Sequence, residues 1–283
     1  MRSSAASDVY KRQTSTVNIG SISSSGLELT LNAVPIAKKD FQWRTTVTLS
    51  KIFSNKLNEF SYSTADYLEF GDIGGYGALG NAVRLYAGSE IGNFYGKRFA
   101  GFDESGEWLF YNKEGEAVPA SEIYDDDLTV IGNGQPKWYL AWTNTFNYKN
   151  FDLSFMLKGR FGYDILNRLK MFYSNMTTLQ AGYNVLNSTF EDGVNASYQY
   201  SDYYLEKGNY LRLDNITLGY NFKNKNVKWP SFRVYVTATD LFTITGYDGL
   251  NPEMDDTGMS PSMESCGRTP VTRSVSVGLN VKF

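Results

Sequence analysis

Strict alternation of apolar and polar side chains dominates this sequence and is cleanest at its end. Val271, Arg273, Val275, Val277, Leu279, Val281 and Phe283 alternate with Thr272, Ser274, Ser276, Gly278, Asn280 and Lys282 without a slip. A period of two puts one apolar face and one small, polar face on a single strand. Trp138, Leu140, Trp142, Phe146 and Tyr148 oppose Tyr139, Ala141, Thr143, Thr145 and Asn147 in the same way. After Lys149-Asn150 the chain returns as Phe151, Leu153, Phe155, Leu157 and Phe161 against Asp152, Ser154, Lys158 and Arg160, which predicts a hairpin. Residues 27–36 with 41–49, and 208–222 with 232–239, predict two more hairpins. A weaker alternation at 81–87 and 91–102 predicts a fourth, for about nine strands in all.

The predicted connections alternate between short turns and long loops, the long ones at 53–79, 103–135, 162–207 and 246–270. A soluble sandwich has no reason to obey that rule. Outer-membrane barrels do, because their periplasmic turns are short and their extracellular loops long. The pattern therefore predicts an all-β fold, an antiparallel transmembrane β-barrel wall with its apolar face to lipid. On that wall the charged exceptions to the apolar face are Lys51, Arg212, Asp214, Asp240 and Arg273, all expected toward the extracellular end. A cation facing lipid costs about 2–4 kcal/mol at midplane and about 0–1 near the interface.

Composition narrows the function classes. Aromatic residues make up 16% of a chain whose mean hydropathy is −0.36, as alternating strands with interfacial aromatic girdles would give. No run of eighteen apolar residues is present, so no transmembrane helix is predicted. A net charge of −3 gives no support to nucleic-acid binding. There is no histidine and one cysteine, Cys266, which removes histidine-based triads, histidine-ligated metals and any intrachain disulfide. No cofactor is expected. An enzyme would have to pair carboxylates such as Asp125, Asp126, Asp127 or Glu253, but acidic loop runs are usually solvated, and no enzyme is expected. Asp103, Glu104 and Glu107 with Asp125–Asp127 lack the regular spacing of a calcium loop. The rival to a barrel is a soluble all-β glycan-binding module using Trp138, Trp142 and Trp229.

Several stretches resemble one family closely. Residues 208–220 (GNYLRLDNITLGY), Phe232-Arg233-Val234-Tyr235-Val236, residues 240–247 (DLFTITGY) with Asn251-Pro252-Glu253, and the end from Pro270 are similar to the SusC/RagA-type TonB-dependent transporters. The ending Gly278-x-x-Val281-x-Phe283 resembles the C-terminal signal read by the barrel-assembly machinery. The resemblance implies the C-terminal part of a 22-stranded plugged barrel in the outer membrane. It implies import of oligosaccharides or peptides, a SusD-like surface lipoprotein as partner, and energy from the TonB complex acting on an N-terminal region upstream of this sequence. Residues 1–13 match nothing else in the pattern and are read as a non-native extension; residues 14–283 are expected to be the barrel portion, with no plug domain among them. Such a piece is expected neither to close nor to transport alone, since open strand edges are costly in lipid.

Within a barrel, Asp152, Lys158, Arg160, Arg233, Tyr235 and Lys282 face the lumen, where they hydrate the wall, hold the plug or meet substrate. Tyr183, Tyr198, Tyr200, Tyr203 and Tyr204 in the long loops are candidates for stacking on sugars.

Overall fold

The computed structural model describes residues 20–60, 66–74, 79–192, 194–222 and 230–282. Phe283, Trp229 and the 1–13 segment lie outside the described residues. Two long strands come first, β1 (Gly20–Ala37) and β2 (Phe41–Phe60). The first long connection then carries β3 (Tyr67–Asp72), β4 (Asn81–Tyr86), β5 (Asn93–Gly96), β6 (Arg98–Phe102), β7 (Trp108–Tyr111), β8 (Ala117–Pro119) and β9 (Thr129–Asn133). A tight hairpin follows, β10 (Trp138–Tyr148) and β11 (Phe151–Phe161). The second long connection holds β12 (Asp164–Leu166), three short helices and β13 (Leu205–Lys207). The chain ends on β14 (Tyr210–Phe222), β15 (Ser231–Thr245) and, past a third long connection, β16 (Ser274–Lys282).

Seven strands form one antiparallel sheet in the order β1-β2-β10-β11-β14-β15-β16. The run from β10 to β16 has strands of 9 to 15 residues, the length a tilted strand needs to cross a bilayer. Register aligns their apolar positions into rows. Ile36, Trp43, Phe146, Leu153, Leu218, Val236 and Val277 are successive partners across all seven strands. Phe41, Tyr148, Phe151, Tyr220, Val234 and Leu279 make the next row. None of the described residues covers this face: Val277 is 74% exposed and Leu218 52%. The opposite face is threaded with hydroxyls and amides, including a Thr217–Thr237 pair at 2.8 Å and Thr46 donating to Asn32 at 2.7 Å.

The buried core lies elsewhere. Leu57, Ile73, Val83, Leu85, Phe94, Trp108, Phe110, Leu166, Met171 and Tyr204 pack together where the long connections meet, at one edge of the wall. The loops are thus a folded mass with a core of its own, while the wall keeps its apolar atoms outside, the reverse of a soluble sandwich.

Two expectations are corrected. The wall has seven strands among the described residues, not about nine, because 81–87 and 91–102 belong to small sheets in the loop mass. Of the charges expected on the apolar face, Arg212, Asp214 and Asp240 turn inward. Asp214 is the extra residue of a β-bulge between Leu213 and Asn215, and the parity of β14 inverts there. Beside it β15 detours through Asp240, whose φ is +53°. Lys51 does stay on the apolar face, lying over Trp138 at 4.6 Å and Phe53 at 5.2 Å near the loop edge.

Candidate functional site

The inward face of β10, β11 and β14 carries a basic ladder, and a loop from the third long connection folds back onto it. Lys158 and Arg212 are register partners, as are Arg160 and Tyr210, so two rungs of cations project to the same side. The bulge at Asp214 is what brings Arg212 to that side. Residues 251–256 supply the anions. Glu253 accepts from Arg212 at 2.8 Å and pairs with Lys158 at 3.1 Å. Asn251 takes a second guanidinium nitrogen of Arg212 at 2.5 Å, and Thr243 the Nε at 2.8 Å. Asp256 sits 3.4 Å from Arg160 and accepts from Tyr139 at 2.7 Å. Lys158 also meets Asp214 at 2.6 Å. Tyr163 anchors the loop backbone by donating to the Pro252 carbonyl at 2.7 Å, and Arg268 donates to that of Glu253 at 2.8 Å. Arg212 ends up 3% exposed with every charge matched, the condition for burying a guanidinium at all.

A second polar station lies near the short-turn edge. Arg233 grips Asp152 with Nε at 3.1 Å and Nη2 at 2.5 Å, and Asn221 donates to the same carboxylate at 2.7 Å. This pair crosses Gly219, where a Cβ would stand 2.6 Å from the Asp152 carboxylate and 2.7 Å from the guanidinium. One strand further on, the Tyr235 ring lies across Gly278, its register partner, and a Cβ there would run into the ring. Glycine is thus required at Gly278 by close packing of an aromatic. Val281 faces outward opposite Phe232, and Lys282 stands opposite Ser231 at the end of the inner rows.

Of the expected lumen residues, Lys158 and Arg160 fall in the first cluster and Asp152, Arg233 and Tyr235 in the second, while Lys282 lies in neither; Lys158, Arg160, Asp152 and Arg233 are engaged with other side chains of this chain. Sequence reasoning missed Arg212, Glu253, Asn251 and Asp256 as their partners. One signal was available: apolar positions in β14 switch from Leu211 and Leu213 to Ile216, Leu218 and Tyr220, which marks the bulge.

Among the loop tyrosines, Tyr183 is 64% exposed, whereas Tyr200 is 7% and Tyr204 0% exposed. Tyr200 donates to the Ala82 carbonyl at 2.8 Å, and burial pushes its hydroxyl pKa up. Tyr203 packs against Phe99 and Trp108, and Tyr198 against Phe172. Tyr200 and Tyr204 are core residues of the loop mass, which corrects the expectation that they stack on sugars. The acidic stretch is likewise built in. Asp127 accepts from the Tyr124 and Lys113 amides, which hold its carboxyl below the usual range, and Asp125 pairs with Arg84 at 2.9 Å.

An uncovered apolar face, a polar inner face and a folded loop mass along one edge define the wall of an outer-membrane-type β-barrel. No family model matches the sequence. It is 30% identical over 255 residues to the TonB-dependent receptor SusC of Bacteroides thetaiotaomicron, covering 84% of this chain and 25% of that protein. It is 27% identical over 303 residues to the TonB-dependent receptor P3 of Formosa agariphila, covering 94% of this chain and 29% of that one. The fold matches the RagAB peptide transporter with a TM-score of 0.74 at 20% identity, over 94% of this chain and 30% of the other. The chain is similar to SusC and other TonB-dependent receptors over most of its own length, and it spans between a quarter and a third of the length of the curated relatives it matches.

Proposed function

We propose that this chain is wall and loop mass of an outer-membrane importer that takes up oligosaccharides or peptides. In this reading the remainder of a 22-stranded plugged barrel pairs with β1 and β16, the outer strands of the sheet. A SusD-like lipoprotein closes over the loop mass, and the TonB complex drives transport through a region outside this chain. The observation that carries the reading is the row from Ile36 to Val277, apolar and uncovered on seven consecutive strands, in a chain similar to SusC. Gly278, Val281 and Phe283 act in it as the assembly signal. Asp152 and Arg233 stiffen the wall near the periplasm, and the ladder fixes the 251–256 loop inside the lumen.

Deleting the gene in its host and growing the strain on defined glycans and on peptides tests the reading. Loss of growth on one substrate class, restored by the full-length gene, is expected. Normal growth on every substrate, or recovery of the full-length protein in the soluble fraction, defeats it.

A further inference from the structure

One cleft in the loop mass contains a cation with no carboxylate partner among the described residues. It opens between β4, β5 and the segment around Gln199, has a volume of about 220 Å³, and is lined in part by Asn81, Arg84, Tyr95, Lys97, Leu128 and Gln199. Its two cations differ. Arg84 is matched twice, by Glu69 at 3.2 Å and Asp125 at 2.9 Å, with its guanidinium between the rings of Tyr67 and Tyr95 at 4.1 and 4.8 Å. Lys97 has no carboxylate within 4.0 Å among the described residues. Among those residues its ammonium donates once, to Gln199 Oε1 at 2.6 Å, and lies 5.1 Å from the centre of the Phe110 ring.

An ammonium carries three donors, and a partly buried one ordinarily has a counter-ion. Desolvation without compensation draws the Lys97 pKa down from its usual value. Its backbone is fixed all the same, since the Lys97 carbonyl accepts from the Asp202 amide at 3.2 Å and Lys97 bridges to Ser201. Beside it the Gln199 amide nitrogen makes no hydrogen bond among the described residues, which adds a second donor. Arg84, Glu69 and Asp125 together carry one negative charge and Lys97 one positive, so the cleft is neutral overall and a singly charged anion seated at the Lys97 ammonium is the most it accommodates. A dianion such as a phosphate monoester would face Glu69 uncompensated.

We propose that the Lys97 cleft is a subsite for a ligand carboxylate, with Lys97 as counter-ion and Gln199 as second donor. The proposal rests on the reading of the chain as an importer and names the chemistry of its cargo. That carboxylate belongs either to a uronic-acid unit of a glycan or to the C-terminus of a peptide.

Calorimetric titration of the full-length receptor, wild type and Lys97→Met, with trigalacturonate, trialanine, trialanine amide and maltotriose distinguishes these. At least tenfold weaker binding of one carboxylate probe to Lys97→Met is expected, with maltotriose unchanged and Lys97→Arg close to wild type. Loss confined to trigalacturonate assigns an acidic glycan; loss confined to trialanine, with the amide binding weakly to both forms, assigns a peptide terminus. Equal affinities in wild type and Lys97→Met overturn the proposal, as does a parallel loss of maltotriose binding or no preference for any carboxylate probe. If the deletion strain grows normally while Lys97→Met still loses a carboxylate ligand, the import reading fails and the subsite stands.

Discussion

Glu253→Ala is the sharpest test of the docked loop. Its carboxylate touches Arg212 at 2.8 Å and Lys158 at 3.1 Å, and its side chain is 25% exposed. Breaking a fully buried pair by removing one partner costs about 3–5 kcal/mol. Here the stranded cations keep part of their compensation. Arg212 retains Asn251 and Thr243, with Asp240 at 3.5 Å, and Lys158 retains Asp214 at 2.6 Å. Partial exposure lowers the cost further, so about 1–3 kcal/mol is expected.

Two readouts separate a docked loop from a bystander. The midpoint at which the full-length receptor loses its heat-resistant gel mobility should fall. Amide exchange should rise at residues 250–256 while that of β10 and β11 stays unchanged. A cycle with Arg212→Met adds the decisive number: the double variant should lose about 1–2 kcal/mol less than the sum of the singles, because the residues share one interaction. Additivity within about 0.3 kcal/mol, or wild-type exchange at 250–256 in Glu253→Ala, refutes the argument that the carboxylate holds the loop.

Three further outcomes follow from the same geometry. Gly278→Val should impair outer-membrane assembly, measured as the heat-modifiable fraction, and Tyr235→Ala in the same chain should restore much of it by clearing the ring; failure of that rescue would assign the glycine a different role. Val277→Arg, near the middle of β16, should cost about 2–4 kcal/mol by placing a cation in lipid, whereas Ser276→Arg on the opposite face should cost much less; equal effects would mean the faces are wrongly assigned. Asp127 has a folded pKa below its unfolded value, so its contribution is complete above the ordinary carboxylate pKa and fades as pH falls through the folded one; limited proteolysis of residues 113–128 should rise on acidification in that range, and Asp127→Asn should flatten the dependence, an unchanged profile counting against it.

How much of this was legible in the sequence depends on whether the cause was local. The faces of β10, β11 and β16 were readable because a two-residue period needs only neighbouring positions, and lipid on one side enforces it along the whole strand. The same period misled at 81–102. Alternation reports that one face is dry, not what dries it: Val83, Leu85 and Phe94 are buried against the core of the loop mass and not by acyl chains. Tyr200 looked available for a ligand because tyrosine-rich loops are commonly wet, and only a distant carbonyl, that of Ala82, lets its hydroxyl be buried. The inner ladder is the extreme case. Alternation grouped Lys158 and Arg160 on the polar face of β11, yet their partners at Glu253 and Asp256 lie more than ninety positions away in the chain. Arg212 was placed on the wrong face because one added residue at Asp214 inverts everything before it. The parity switch between Leu213 and Ile216 contained that information. A bulge that turns an arginine away from lipid, with an acidic loop waiting to receive it, is therefore readable only when strand parity and the long-range charge partner are considered together.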